Sequence, residues 1–160
     1  MRPARRRFLQ VGIAGAAVLA TAGWMSRPRG GVVEALVPVV LEGSLPAGGP
    51  ERARAVRDVS EAFHRAVAGL APAIQSEVSQ LLALLAFMPT RLAFTGIASP
   101  LHEAAAADIA AFLSRWRESR FDLLRASYQA LTQLIQAAWY DNPASWAAIG
   151  YPGPPKALPA

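Results

Sequence analysis

Glu61 and His64 stand three residues apart, a spacing that brings both side chains to one face of a helix. Di-iron carboxylate bundles use two such Glu-x-x-His pairs together with two further glutamates. This chain has one pair, and its other histidine, His102, is followed directly by Glu103. We therefore expect no metal site here and interpret Glu61 and His64 as an i,i+3 pair on a solvated helix face.

Other enzyme signatures are weak or missing. The run GIAGAA at residues 12–17, with Glu34 farther on, matches part of a dinucleotide-binding fingerprint, but it lacks a preceding strand and a third glycine. The sequence has no G-x-S-x-G motif. It has no cysteine, which excludes disulfides, thiolate metal sites and C-x-x-C-H haem attachment. We expect no catalytic, metal or cofactor-binding residue in this chain, and hence no enzyme.

The closing segment AWYDNPASWAAIGYPGPP is rich in aromatic and proline residues, which suit a protein interface. Aromatic rings there offer apolar area with a polar tip, and the prolines stiffen an extended backbone. The candidate partner-docking residues are Trp139, Tyr140, Trp146, Tyr151, Pro152 and Pro154. For the first two, packing against the protein's own bundle is an equal alternative.

The excess positive charge lies in the first 30 residues, which hold no acid. The arginines there are Arg2, Arg5, Arg6, Arg7, Arg27 and Arg29. Since the chain has 16 basic and 11 acidic residues, residues 31–160 hold 10 basic and 11 acidic ones, a net charge of −1. A near-neutral body removes the main support for nucleic-acid binding, so we expect no nucleic-acid partner.

Apolar residues recur at helical spacing through most of the chain, without strand-like alternation or internal repeats. Hydrophobic residues make up 53% and charged residues 17%, enough to bury a core. The predicted fold is all-α: a compact bundle of four to five helices after an N-terminal signal segment, with an extended Pro/Gly-rich C-terminal tail. The expected divisions are a signal segment at 1–30, a helical domain at 31–155 and a tail at 156–160.

Prolines and glycines predict the helix boundaries. A short apolar helix interrupted or kinked by Pro38 precedes a loop at residues 44–50 and a helix over residues 51–70. Pro72 suits the first position of the next helix. Its wide apolar stripe predicts the most buried helix. The stripe consists of Ile74, Val78, Leu81, Leu82, Leu85 and Met88.

A break is predicted at residues 88–100, after which Ser99 and Pro100 form the N-cap and first residue of a helix. Two apolar faces follow, separated by a short break near Ser119, and Asn142-Pro143 restarts a short helical turn. The first face consists of Ile109, Phe112, Leu113 and Trp116, and the second of Phe121, Leu124, Tyr128, Leu131, Ile135 and Ala138.

The leader has the three parts of an export signal. A basic start at residues 1–7 is followed by an apolar run at Val11–Gly23 and a polar end at residues 24–31. The 13 residues of the apolar run suit a signal-peptide core better than a membrane span, which needs about 20. Ala20 and Ala22 mark a candidate cleavage region of the A-x-A type. The alternative interpretation is a basic start to a membrane anchor.

The run ARRRFLQ resembles the twin-arginine export signal, whose usual form is Ser/Thr-Arg-Arg-x-Phe-Leu-Lys. Arg5 and Arg6 match the paired arginines, and Phe8 and Leu9 match the apolar pair. A guanidinium pair offers fixed forks to acidic receptor groups. The resemblance implies export of a folded protein through the twin-arginine (Tat) pathway.

The body resembles the small helical subunits of bacterial periplasmic FAD-dependent dehydrogenases of the glucose–methanol–choline (GMC) type, broadly the gluconate 2-dehydrogenase subunit 3 group. Besides the leader, the resemblance rests on the helix pair at 112–140 and the segment NPASWAAIGYPGPP at 142–155. Its most distinctive part is W-x-x-I-G-Y-P-G-P-P. The resemblance implies a non-catalytic subunit that assists folding and export of the catalytic subunit and remains bound to it.

The partners so implied are the GMC-type catalytic subunit with its FAD, the Tat translocase transiently, and a cytochrome subunit as a further candidate. The expected location is the periplasm, with inner-membrane association if the leader is not cleaved. The alternative is a stand-alone periplasmic or membrane-tethered helical binding or scaffold protein, which Ala-rich helices with wide apolar faces would allow.

Overall fold

The computed structural model describes residues 30–146 and, beyond them, Gly150 and Pro152. Every regular element in these residues is helical, which confirms the predicted all-α fold. The helices pack as a compact bundle around one apolar core. The predicted signal segment, apart from Gly30, and the tail at 156–160 lie outside the described residues.

The helices follow one another through short connections. In chain order they are α1 (Gly30–Val40), α2 (Gly49–Ala68), α3 (Pro72–Ala86), α4 (Met88–Thr95), α5 (Ala106–Arg117), α6 (Asp122–Tyr140) and α7 (Pro143–Trp146), with a 3₁₀ turn at Leu101–Glu103. Pro72 opens α3, as predicted, and Pro143 opens the short turn of α7. Proline suits these positions because the first N–H groups of a helix have no partner within the helix.

Helix α1 is the centre of the core. Val33, Leu36 and Val37 are fully buried, and α1 packs against α2, α3, α5, α6 and the 3₁₀ turn. The short apolar helix is present and continues through Pro38 to Val40, so of the two predicted effects of Pro38, an interruption or a kink, the interruption is wrong. Pro38 lies in the last turn, where its missing N–H removes only the hydrogen bond to the carbonyl of Glu34.

Helix α3 is less buried than its apolar stripe predicts. Val78, Leu82 and Leu85 are buried, but Ile74 is 44% exposed and Met88, which belongs to α4, is 51% exposed. The prediction that this helix is the most buried one is therefore wrong. An apolar stripe identifies the face of a helix that can be buried. How much of the helix is buried along its length depends on where the neighbouring helices end.

The predicted break at residues 88–100 itself contains a helix, α4, which meets α3 at 92°. Phe87 between them is extended, with φ −83° and ψ 121°, and Pro89 follows at the start of α4. The sharp turn directs α4 away from the axis of α3. Taken together the two helices have the length and apolarity of a membrane span, but among the described residues no single helix does.

Two further boundaries differ from prediction. Ser99 and Pro100 do not begin an α-helix, because Pro100 is extended and is followed by the 3₁₀ turn, so α5 starts only at Ala106. The apolar face of α5 is buried as predicted. In α6, Leu131, Ile135 and Ala138 are buried as predicted, but Phe121 precedes the first turn and is 55% exposed.

Candidate functional site

The histidine sites of the sequence do not converge in the structure. His64 is exposed and packs its ring against the edge of Phe63, with ring centroids 5.5 Å apart. Glu61 turns instead to Arg65, at 3.9 Å, and both side chains are more than 70% exposed. No group of three or more histidine and acidic side chains in the described part of the chain could hold a metal ion.

His102 lies on the 3₁₀ turn, which packs against α1. Its ring sits over Gly31, where an added Cβ atom would approach His102 Nδ1 to 2.9 Å, and its Nε2 is 3.5 Å from a carboxylate oxygen of Glu103. These contacts fit the ring against the start of α1. Glu34, the acid of the partial dinucleotide fingerprint, belongs to α1 rather than to a strand–helix unit, and its Oε2 is buried without a hydrogen bond from any described residue.

An open cleft of about 260 Å³ lies between α2 and the junction of α6 with α7. Its polar lining comes from Asp58, Glu61, Arg65, Asp141 and Asn142. Three carboxylates and one guanidinium give the cleft a net negative charge. The acids are solvent-exposed, and no cluster with metal-ligand geometry forms among the residues described here.

The predicted docking residues divide between core and surface. Trp139 is buried with 4% of its surface exposed, so it is a core residue and its assignment to docking is corrected. Tyr140 is 47% exposed. Trp146 is partly buried, and its indole nitrogen donates a hydrogen bond to the carbonyl of Tyr140 at 2.9 Å. Pro152 is exposed, whereas Tyr151 and Pro154 lie outside the described residues.

The predicted export residues also lie outside the described part. They are Arg5, Arg6, Phe8 and Leu9 of the signal and Ala20 and Ala22 of the candidate cleavage region. The nearest described element is α1, which begins at Gly30.

A surface that the sequence did not suggest lies on α4 and at the turn between α5 and α6. Large apolar side chains are about half exposed there, and we call them the end patch: Met88 at 51%, Leu92 at 46%, Phe94 at 47%, Phe121 at 55% and Leu123 at 58%. The one charged residue of α4, Arg91, is only 3% exposed. Helix α4 thus buries its charge and exposes apolar side chains, the reverse of an ordinary surface helix.

Arg91 points inward because it caps the end of α3. Its guanidinium donates to the carbonyls of Leu85 at 3.3 Å, Ala86 at 2.7 Å and Ala98 at 2.8 Å. The first two carbonyls belong to the last turn of α3, where helix geometry leaves them without partners. Burial lowers the pKa of Arg91 from its usual value.

Two side chains at the end of α5 hold the end of α4 in place. Trp116 Nε1 donates to the carbonyl of Phe94 at 3.0 Å, and Arg115 donates to the carbonyl of Thr95. The carbonyl of Trp116 accepts from the N–H of Ser119, which starts the turn to Phe121. The end of α4, with Phe94, therefore lies next to the end of α5, from which the chain turns to Phe121.

Arginines surround this end of the bundle. Arg117 pairs with Glu118 at 3.0 Å, and Arg125 pairs with Asp122. The Arg120 guanidinium lies 4.9 Å from the centre of the Phe121 ring, a cation–π contact, with no carboxylate of the described residues within 4.0 Å.

Comparison with known proteins gives no relative for this chain: no family profile, no curated protein and no solved structure matches it.

Proposed function

We propose that this chain is a non-catalytic small subunit of a periplasmic flavin-dependent dehydrogenase of the GMC type. In this role it assists folding of the catalytic subunit, takes it through the Tat pathway and remains bound to it. The FAD belongs to the catalytic subunit. The observation that carries the proposal is a twin-arginine-like leader on a small helical body that leaves a group of large apolar side chains exposed.

The exposed apolar surface supports a permanent partner. Monomeric soluble proteins seldom leave several large apolar side chains half exposed at one end, and such patches mark interaction sites. Phe94 on α4 and Phe121 beside α6 are each about half exposed, and the bond from Trp116 to the Phe94 carbonyl brings the end of α4 next to the end of α5, from which the chain turns to Phe121. A subunit that stays bound to its partner covers this surface.

The leader supports export of a complex. Arg5 and Arg6 occupy the paired positions of the twin-arginine motif, and the pathway with which that motif is associated transports folded proteins. A partner without its own leader can cross the membrane with this chain only if it is already bound. Folding and docking must therefore precede transport.

The test is co-expression of the full chain with a leaderless GMC-type flavin-dependent dehydrogenase, followed by measurement of protein-bound flavin in the periplasm. We expect Arg5→Lys with Arg6→Lys to stop export of both proteins, because ammonium groups do not reproduce the guanidinium forks. The control is Arg27→Lys with Arg29→Lys, the same chemistry outside the motif. Unchanged flavoprotein export by the Arg5/Arg6 variant would show that the carrier role is wrong.

A further inference from the structure

We propose that the end patch is the surface on which the catalytic subunit docks, and that it receives a segment of that subunit with apolar and acidic side chains. This inference rests on the proposed function and deepens it. It assigns the interface to α4 and the α5–α6 turn instead of the C-terminal aromatic segment.

The apolar character of the end patch gives the first part of the partner's chemistry. Five large side chains there are about half exposed, and the only charge on α4 is buried. In the part of the chain that the structure describes, the other exposed large apolar residues are Ile74, near the start of α3, and Tyr140, at the end of α6. Hot spots of protein interfaces are built from such aromatic and arginine anchors, with energetically neutral contacts around them.

The charge around the end patch gives the second part of the partner's chemistry. Residues 30–146 hold nine arginines and 11 acids, so the described body is negative overall. Residues 115–125 nevertheless hold four of those arginines against two acids. Arg120 has no described carboxylate partner and is held over Phe121. A positive rim beside exposed apolar side chains is complementary to an acidic segment of a partner.

The surface is also held in place before binding. The hydrogen bonds from Trp116 and Arg115 fix the end of α4, and the bonds from Arg91 fix its beginning. Side chains on a fixed helix lose less conformational entropy on binding than side chains on a loop. The end patch therefore offers a ready surface for a folded partner.

An anionic membrane surface is the competing occupant for arginines next to exposed aromatic rings. The protein partner is favoured because the positive rim is small, with a surplus of two charges over residues 115–125. The rest of the described body is negative, which opposes binding to an anionic surface. Vesicles enter the experiment as a separate arm.

The experiment uses the full chain co-expressed with a leaderless GMC-type dehydrogenase, the proposed catalytic subunit, and measures periplasmic protein-bound flavin and the Kd of the purified pair. The patch variant is Phe94→Ser with Phe121→Ser, and its matched control is Ile74→Ser, an equally exposed apolar residue at the far end of α3. We expect the patch variant to weaken binding roughly 30-fold or more, as loss of a hot spot does. The control is expected to bind like the wild type.

A charge variant gives a second readout that leaves the apolar residues in place. We expect Arg120→Glu to weaken binding at low salt and to reduce its salt dependence, because a rim charge acts through long-range attraction. Its control is Arg54→Glu on the exposed side of α2. Circular dichroism melts of all variants show whether each remains folded.

Each outcome decides one question. Loss of binding in the patch variant with normal binding in both controls supports the docking surface. Normal binding in the patch variant while the wild-type pair is exported overturns the surface and leaves the proposed function standing. A wild-type chain that neither binds nor exports the dehydrogenase overturns both. Sedimentation of the purified wild-type chain with phosphatidylglycerol vesicles, lost in the patch variant, would assign the surface to a membrane and also overturn the inference.

Discussion

Trp116 and Phe94 are 22 residues apart in the chain, yet the indole nitrogen of one donates to the backbone carbonyl of the other at 3.0 Å. Trp116 is 3% exposed and packs edge-on against Phe112, while Phe94 is 47% exposed. One hydrogen bond thus connects the core of α5 to the apolar surface on α4. The position of the apolar surface on α4 therefore depends on Trp116, a residue that is itself buried.

Substitution of Trp116 tests this connection. We expect Trp116→Phe to lower the free energy of unfolding by about 1–3 kcal/mol, because it removes the hydrogen bond to Phe94 and leaves a gap in the core. The control is Trp146→Phe, which removes a more exposed indole bond to the carbonyl of Tyr140. That change is expected to cost less than about 1 kcal/mol. Urea denaturation measures both, and equal losses would contradict the structural role of Trp116.

We expect that even lysine cannot replace Arg91 without a loss of stability. Its fork reaches three backbone carbonyls, and a lysine would keep the buried charge without reproducing that geometry. We expect Arg91→Lys and Arg91→Met each to cost about 2–4 kcal/mol of unfolding free energy, because both leave carbonyls of α3 unsatisfied. Arg54→Lys on exposed α2 is the control and should stay within about 0.5 kcal/mol. If Arg91→Met left the unfolding free energy unchanged, these hydrogen bonds would be dispensable.

Local chemistry predicted much of the fold. The helix start at Pro72, the break near Ser119 and the buried face of α5 all depend on neighbouring residues, so proline geometry and helical spacing suffice to find them. Ile74 was predicted to be buried and is 44% exposed, because its cover depends on distant helices. The inward turn of Arg91 has no sequence signal either, since its partners are carbonyls that any residue supplies.

The central position of α1 in the core also could not be predicted from the sequence, because it depends on distant helices. Its sequence predicts a short apolar helix, but only the packing of four other helices makes Leu36 fully buried. We expect Leu36→Ala to cost about 2–5 kcal/mol of unfolding free energy. Leu123→Ala, at a side chain that is 58% exposed, should cost less than about 1 kcal/mol. Chemical denaturation of the two variants compares the same change in core and surface, and similar losses would argue against the centrality of α1.

Glu118 provides a titration test of the α5–α6 turn. The hydrogen bond and the charge of Arg117 hold the pKa of Glu118 below its usual value, and the hydrogen bond from Ser114 contributes less. Because the folded pKa is lowered, the associated stability is present above the usual glutamate pKa and is lost as the pH falls through the folded value. We expect Arg117→Gln to raise the pKa of Glu118 more than Ser114→Ala does, in an NMR titration of the carboxyl carbon. The opposite order would show that Ser114 is the main partner.

Gly96 ends α4 in the left-handed region, with φ +76°, and its N–H bonds to the carbonyl of Leu92 at 2.9 Å. A Cβ atom there would lie 3.6 Å from the guanidinium of Arg115, an ordinary contact, so the cost of a side chain is conformational. We expect Gly96→Ala to lower the unfolding free energy by about 1–2 kcal/mol.

The comparison with Gly69 isolates that conformational cost. Gly69 follows α2 with φ −83°, and a Cβ atom there would lie 3.5 Å from the carbonyl oxygen of Ala66, an ordinary contact. We expect Gly69→Ala to raise the unfolding free energy by about 0.4–1 kcal/mol, since alanine has fewer conformations to lose on folding. The midpoints of urea denaturation should therefore shift in opposite directions, upward for Gly69→Ala and downward for Gly96→Ala. If both variants moved the same way, the left-handed turn would not be what fixes the end of α4.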